Sequence, residues 1–147
     1  MNAKEMWSKF IVQSPQHEME VYTAWQYGAA VDKLAQLTLE GVKTATSSNH
    51  RLYEIENEPL PYVGEFSIIL NSKDEAVCII QTKTVAIYSF QDVPEEIAYK
   101  EGEVNRTLAY WREVHEEFFS NEFTVYGLSF SEKMLVVCEE FEKVYPI

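Results

Sequence analysis

Between Asn2 and Val12, Met6, Phe10 and Ile11 fall on one side of a helical projection, and Ser14-Pro15 breaks the run. A second helical pattern covers about Trp25 to Glu40, where Ala30, Leu34 and Leu37 alternate with Asp32, Lys33 and Gln36. Gly41 stops it, because glycine accepts the left-handed backbone found just past a helix. The small and β-branched residues Thr44-Ala45-Thr46-Ser47-Ser48 then read as extended chain. A polar segment from Asn49 to Glu58 follows, punctuated by Pro59, Pro61 and Gly64. Glu65–Leu70 and the long run Ala76–Phe90 flank the turn residues Asn71-Ser72-Lys73-Asp74 and predict a hairpin. Pro94 to Glu101 predicts a short helix closed by Gly102. A longer helix begins near Asn105, with Val104, Leu108, Trp111, His115 and Phe118 recurring at spacings of three and four. Phe123–Phe130 reads as a short strand and Met134–Val144 as the closing one.

Helices first, then strands interrupted by two helices, predict an α+β fold or a small barrel with helical decoration. The regular alternation of a doubly wound sheet is absent. The 147 residues suffice for one well-cored domain. No repeat, low-complexity tract or linker divides them, so residues 1–147 are expected to form a single domain.

Charge narrows the choice of partner. Twelve basic side chains stand against 24 acidic ones, a net −12. Phosphate binding is driven by Lys and Arg, so duplex DNA and acidic membranes are poor partners, while an uncharged nucleoside is not excluded. The opening Met-Asn-Ala-Lys-Glu-Met-Trp has no apolar signal core, and no run approaches membrane-spanning length. The expectation is a cytoplasmic protein in which Cys78 and Cys138, both inside apolar strand runs, are buried free thiols.

Candidate chemistry centres on the helix-to-strand junction Gly41-Val42-Lys43-Thr44-Ala45-Thr46-Ser47-Ser48, where a lysine stands among four hydroxyl residues. Such junctions tend to expose reactive groups. Gly41-x-Lys43-x-x-Thr46 resembles the motif of the ASCH domain family, whose fold is similar to the PUA barrel. Two further blocks carry the resemblance: Leu60-Pro61-x-Val63-Gly64-Glu65, and Glu101-Gly102-Glu103 followed by Trp111-Arg112, His115 and Phe118-Phe119. It runs from about residue 25 to the C-terminus. It implies a small PUA-like mixed β-barrel decorated by N-terminal and inserted helices, with residues 1–24 as a helical extension packed on it.

One ASCH branch removes the acetyl group from N(4)-acetylcytidine with a Lys, a Thr and a distant Glu. Carried over, these fall on Lys43, Thr46 and Glu101, with Glu103 as the alternative carboxylate. The Trp-Arg-x-x-His helix belongs to another branch. The resemblance therefore leaves two other readings open: a PUA-like module binding single-stranded RNA, and a metal-assisted ribonuclease.

For an amidohydrolase, the Thr46 hydroxyl needs a base to become a nucleophile. Lys43 fills that role if burial makes it neutral, or steadies the oxyanion if it stays charged. Glu101 then holds the lysine or moves a proton. Residues three apart on a strand face opposite ways, so the chain must turn between Lys43 and Thr46 if both serve one site. Ser47, His50, Arg51, Trp25, Tyr53 and Arg112 are candidate substrate contacts, the aromatics for base stacking and the cations for ribose or phosphate. Thr44 and Ser47 are rival hydroxyls. Taken singly, Lys43 reads as a solvated loop lysine, Thr46 as a strand residue and Glu101 as a helix-end carboxylate. Trp111 and His115, sharing a helix face, read as core. The histidines His17, His50 and His115 fit no metal-ligand spacing, so neither a metal site nor a cofactor is expected.

Overall fold

The computed structural model describes residues 1–147. Helix α1 (Ala3–Gln13) is capped by the Asn2 side chain, which accepts from the Glu5 amide. Its buried Met6 and Phe10 pack on Phe66, Ile68 and Ile79 of the sheet. Strand β1 (Tyr22–Trp25) comes next, so the helix expected from Trp25 begins only at Val31. Tyr-Thr-Ala-Trp is aromatic and β-branched, and it pairs in parallel with the strand Phe66–Leu70 in the register Tyr22↔Phe66 to Trp25↔Ile69. Ala30, left-handed at φ 44°, separates strand from helix.

Helix α2 (Val31–Leu39) buries Leu34, Ala35 and Thr38. Gly41, at φ +79°, reverses the chain, and the Val42 and Lys43 amides both return to the Leu37 carbonyl, at 3.0 and 3.1 Å. Strand β2 (Ala45–Asn49) follows at once, then helix α3 (His50–Ile55). The segment expected to be merely polar is helical because the Asn49 side chain caps it, accepting from the Arg51 amide.

Strands β3 (Phe66–Leu70) and β4 (Ala76–Ser89) form the expected hairpin, and β5 (Leu135–Tyr145) closes the sheet in the order β1-β3-β4-β5-β2. All pairs except β1–β3 are antiparallel. The β4–β5 ladder slips between Thr82 and Thr84, and such a bulge bends a strand and raises its twist. Residues of both edge strands, β1 and β2, line one cleft.

Helix α4 (Glu95–Glu101) starts after Pro94 and stops at Gly102. Helix α5 (Leu108–Val125) is capped by Thr107 and buries Trp111, His115, Phe119 and Phe123. Val104 lies outside the stripe, exposed. The strand expected over Phe123–Phe130 does not form. Phe123 continues the four-residue repeat of Phe119, and Gly127, at φ +69°, lies in the turn that follows. No helix is long and apolar enough to cross a membrane.

Candidate functional site

The end of α4 is stitched to the stretch that precedes β2. The Thr44 amide donates to the Lys100 carbonyl at 2.7 Å. Gly102, left-handed at φ +72°, lies so close to Val42 that an added Cβ would stand 2.9 Å from the Val42 carbonyl oxygen. This close approach sets Lys43 opposite Glu101. The Lys43 side chain is 1% exposed, and its Nζ donates to Glu101 Oε1 at 3.1 Å. Glu103 Oε2 lies 3.9 Å away, and the Tyr27 ring centroid 5.2 Å away.

Glu101 is itself fully buried in hydrogen bonds. Its Oε2 accepts from Ser47 Oγ at 2.6 Å and from Trp111 Nε1 at 2.5 Å, with His115 Nε2 at 3.5 Å. His115 is stacked on Trp111, and its Nδ1 lies 2.8 Å from the Trp111 carbonyl oxygen, an acceptor only, so Nδ1 donates. Burial alone would push the Glu101 carboxyl up. The Lys43 ammonium, His115 and the bonds from Ser47 and Trp111 outweigh it and hold Glu101 below the usual carboxylate range. Glu103, with fewer partners, is pushed up by burial.

Thr46 borders two spaces. A narrow recess is lined by Lys43, Glu101, Glu103, His115 and Thr46. It adjoins a cleft of about 600 Å³ that shares Tyr27, Gly28, Thr46, Ser47 and Phe118 with it. Trp25 and Tyr53 stand on the cleft walls, and the Tyr53 hydroxyl lies 2.8 Å from Ser48 Oγ. Glu58, Glu65, Glu122 and Glu139 also line the cleft, with no Lys, Arg or His among its lining residues. Burial, then the neighbouring Glu65, pushes Glu139 up to about 7. Burial also lifts Glu122 to about 7, with the Asn49 amide beside it offsetting part of the rise.

Comparison with known proteins places this architecture. The model of the ASCH domain matches residues 23–145. The chain belongs to the ASCH domain family. An ASCH domain from Lactobacillus crispatus JV V101 superposes with TM-score 0.89 at 30% identity, covering 97% of this chain and 93% of that one. Protein EF3133 from Enterococcus faecalis V583 superposes at 0.83 with 36% identity, over 97% and 92%. The hypothetical protein PH0355, at 18% identity and TM-score 0.52 over 83% and 96%, shares the fold alone. No curated protein matches the sequence. The fold is thus the PUA-like one of ASCH domains, a mixed sheet with five helices.

In this ASCH domain Lys43, Thr46, Glu101 and Ser47 gather at one place, and Trp25 and Tyr53 line the adjoining cleft. Ser47 is engaged with Glu101. His50 and Arg51 stand elsewhere. Helix α3 carries them to a separate hollow with Phe123, Leu128 and Leu135, where both side chains face Glu54. Arg112 is half-buried away from the cleft and donates to the Gln91 carbonyl at 2.9 Å. Trp111 and His115, read as core, are buried and also hold Glu101. Tyr27, Glu139 and Glu122 were not singled out by the sequence. A glutamate inside the apolar run Val136-Val137-Cys138-Glu139 was the one local signal available for any of them.

Proposed function

We propose that this ASCH domain is an amidohydrolase that removes an acyl group from a modified nucleoside such as N(4)-acetylcytidine. The observation that carries the reading is the Lys43–Glu101 pair, buried beside Thr46 where the recess opens into a cleft walled by Trp25 and Tyr53. A nucleoside base is flat and fits between aromatic walls. Its acyl group reaches Thr46 when the sugar points outward. The Thr46 hydroxyl attacks the acyl carbon, and the Lys43 ammonium stabilises the developing oxyanion in a site screened from water. Glu101, with both oxygens already engaged, holds Lys43 and aligns it.

The acidic lining favours an uncharged nucleoside over a phosphate-bearing strand, as does the net −12. The test is to incubate the protein with N(4)-acetylcytidine and follow cytidine by chromatography, alongside Thr46→Val. Cytidine from the native protein and none from the variant is expected. No turnover by the folded native protein sinks the substrate. Salt-sensitive binding of single-stranded RNA, without turnover, would move the assignment to an RNA-binding module.

A further inference from the structure

Thr46 still lacks a base on the account above, and the recess does not offer one. Both oxygens of Glu101 are taken, and it is held as a carboxylate by Lys43, Ser47 and Trp111. Lys43 is engaged with Glu101 and faces Glu103. The other flank of Thr46 differs. In the antiparallel β2–β5 ladder Thr46 stands directly opposite Glu139, while Ser47 opposes Cys138. Opposed residues project from the same face, with Cβ atoms about 5 Å apart. Thr46 and Glu139 therefore both enter the cleft. Neighbours on a strand face opposite ways, which sends Ser47 to Glu101 instead. Glu139 Oε1 accepts from the buried Thr82 hydroxyl at 3.4 Å, which leaves Oε2 for the cleft.

We propose that Glu139 is the acid–base partner of Thr46. The proposal takes its substrate from the amidohydrolase reading. Glu139 accepts the Thr46 proton as the bond from Oγ to the acyl carbon forms. It delivers that proton to the leaving nitrogen as the carbon–nitrogen bond breaks, releasing the free amine. A water then attacks the Thr46 ester and gives a proton to Glu139. That proton returns to Thr46 Oγ as the carboxylic acid departs. Lys43 and Glu101 change no protonation state throughout. The groups around Glu139 are Glu65 at the entry to β3, Thr82 on β4, Tyr53 on α3 and Tyr27 before α2, while its strand neighbour Cys138 turns to the opposite face beside Ser47. Burial, and after it the Glu65 carboxylate, raises the Glu139 carboxyl to about 7, where a general base is most useful.

The experiment uses p-nitrophenyl acetate, an activated acyl donor, with the acetylated residue located by peptide mass. The native protein is expected to acetylate Thr46, with a rate that rises through about pH 7. Glu139→Gln should slow this by about a hundredfold or more and flatten the limb. Glu65→Gln, which removes a neighbouring like charge, should move the limb to lower pH, a readout that survives if Glu139→Gln fails to fold. Absence of acetyl-Thr46 in the native protein overturns the proposal. So does an unchanged rate in Glu139→Gln, or a loss confined to Glu103→Gln. Glu139-dependent acetylation without turnover of N(4)-acetylcytidine would keep this proposal and sink the substrate. Turnover indifferent to Glu139 would do the reverse.

Discussion

Replacing Lys43 with methionine keeps the length of the stem and removes the charge that compensates Glu101. Lys43 and Glu101 are 1% and 3% exposed, so water cannot take the place of the lost ammonium. Breaking a buried pair by removing one partner costs about 3–5 kcal/mol, because a desolvated charge is left behind. Against a total stability of about 5–15 kcal/mol that is a large share. It corresponds to a fall in Tm on the order of 10 °C. Lys43→Met/Glu101→Gln should recover much of the loss, since the Gln carbonyl still accepts from Ser47 and Trp111 without a charge. The coupling energy in the cycle should be about 2 kcal/mol or more. In the native protein Glu101 is held low, so its stabilisation is present above the unfolded carboxyl value of about 4.3 and fades as pH falls through the folded value. In Lys43→Met burial prevails and lifts the carboxyl, and the penalty disappears once falling pH protonates it. The deficit of the variant should therefore shrink as falling pH brings the lifted carboxyl to protonation. Urea unfolding followed by tryptophan fluorescence measures this directly. A deficit under about 1 kcal/mol, or one indifferent to pH, would show that Glu101 is solvated and refute the reasoning.

Glu122→Gln should stabilise the protein at alkaline pH and do nothing in acid. Burial lifts Glu122 to about 7, so the folded state is penalised as pH rises from the unfolded value through the folded one. Allowing for partial solvation, the gain is roughly 1 kcal/mol, read as a Tm difference that grows with pH. Gly102→Ala should cost about 2 kcal/mol, since φ is +72° and the new Cβ meets the Val42 carbonyl at 2.9 Å. Because that contact sets Lys43 against Glu101, turnover of N(4)-acetylcytidine should fall more than stability does, as a pair of assays on the folded variant would show.

The residues of the ion pair were legible because each sits beside a glycine stop; the family motif pointed to Lys43, and the wider resemblance to Glu101 with Glu103 as its alternative. Gly41 ends α2 just before Lys43, and Gly102 ends α4 just after Glu101. Strand β1 was not legible. Its Trp25 extends the apolar spacing of the following helix, and its parallel partner lies more than 40 residues away in β3. His50 and Arg51 were drawn to the site by nearness in sequence. A capped helix begins at residue 50 and turns them to another surface. Trp111 and His115 follow a core stripe faithfully and still serve Glu101. Hydrophobic periodicity reports which face is buried and says nothing of what a ring nitrogen meets there.

Glu139 shows most clearly why register, rather than proximity along the chain, decides this site. Thr46 and Ser47 are adjacent, yet Thr46 pairs with Glu139 across the ladder while Ser47 donates to Glu101, because a strand alternates its faces. Shifting β2 by one residue against β5 would exchange them. Thr46 would then face Glu101, whose oxygens would lose the Ser47 hydroxyl, and Ser47 would stand opposite an elevated carboxyl. Two constraints hold the present register. The Phe141 amide donates to the Thr44 carbonyl at 2.9 Å, and the Thr44 amide to Lys100 at 2.7 Å, so β5, β2 and α4 are locked at one point just before Ala45. Lys100 Nζ adds contacts to Glu140 on β5 and to Glu96 on its own helix. The short stretch from Lys43 to Thr46 is thus fixed on both sides before the strand begins. That is how a loop lysine, a strand threonine and a helix-end glutamate come to share one recess.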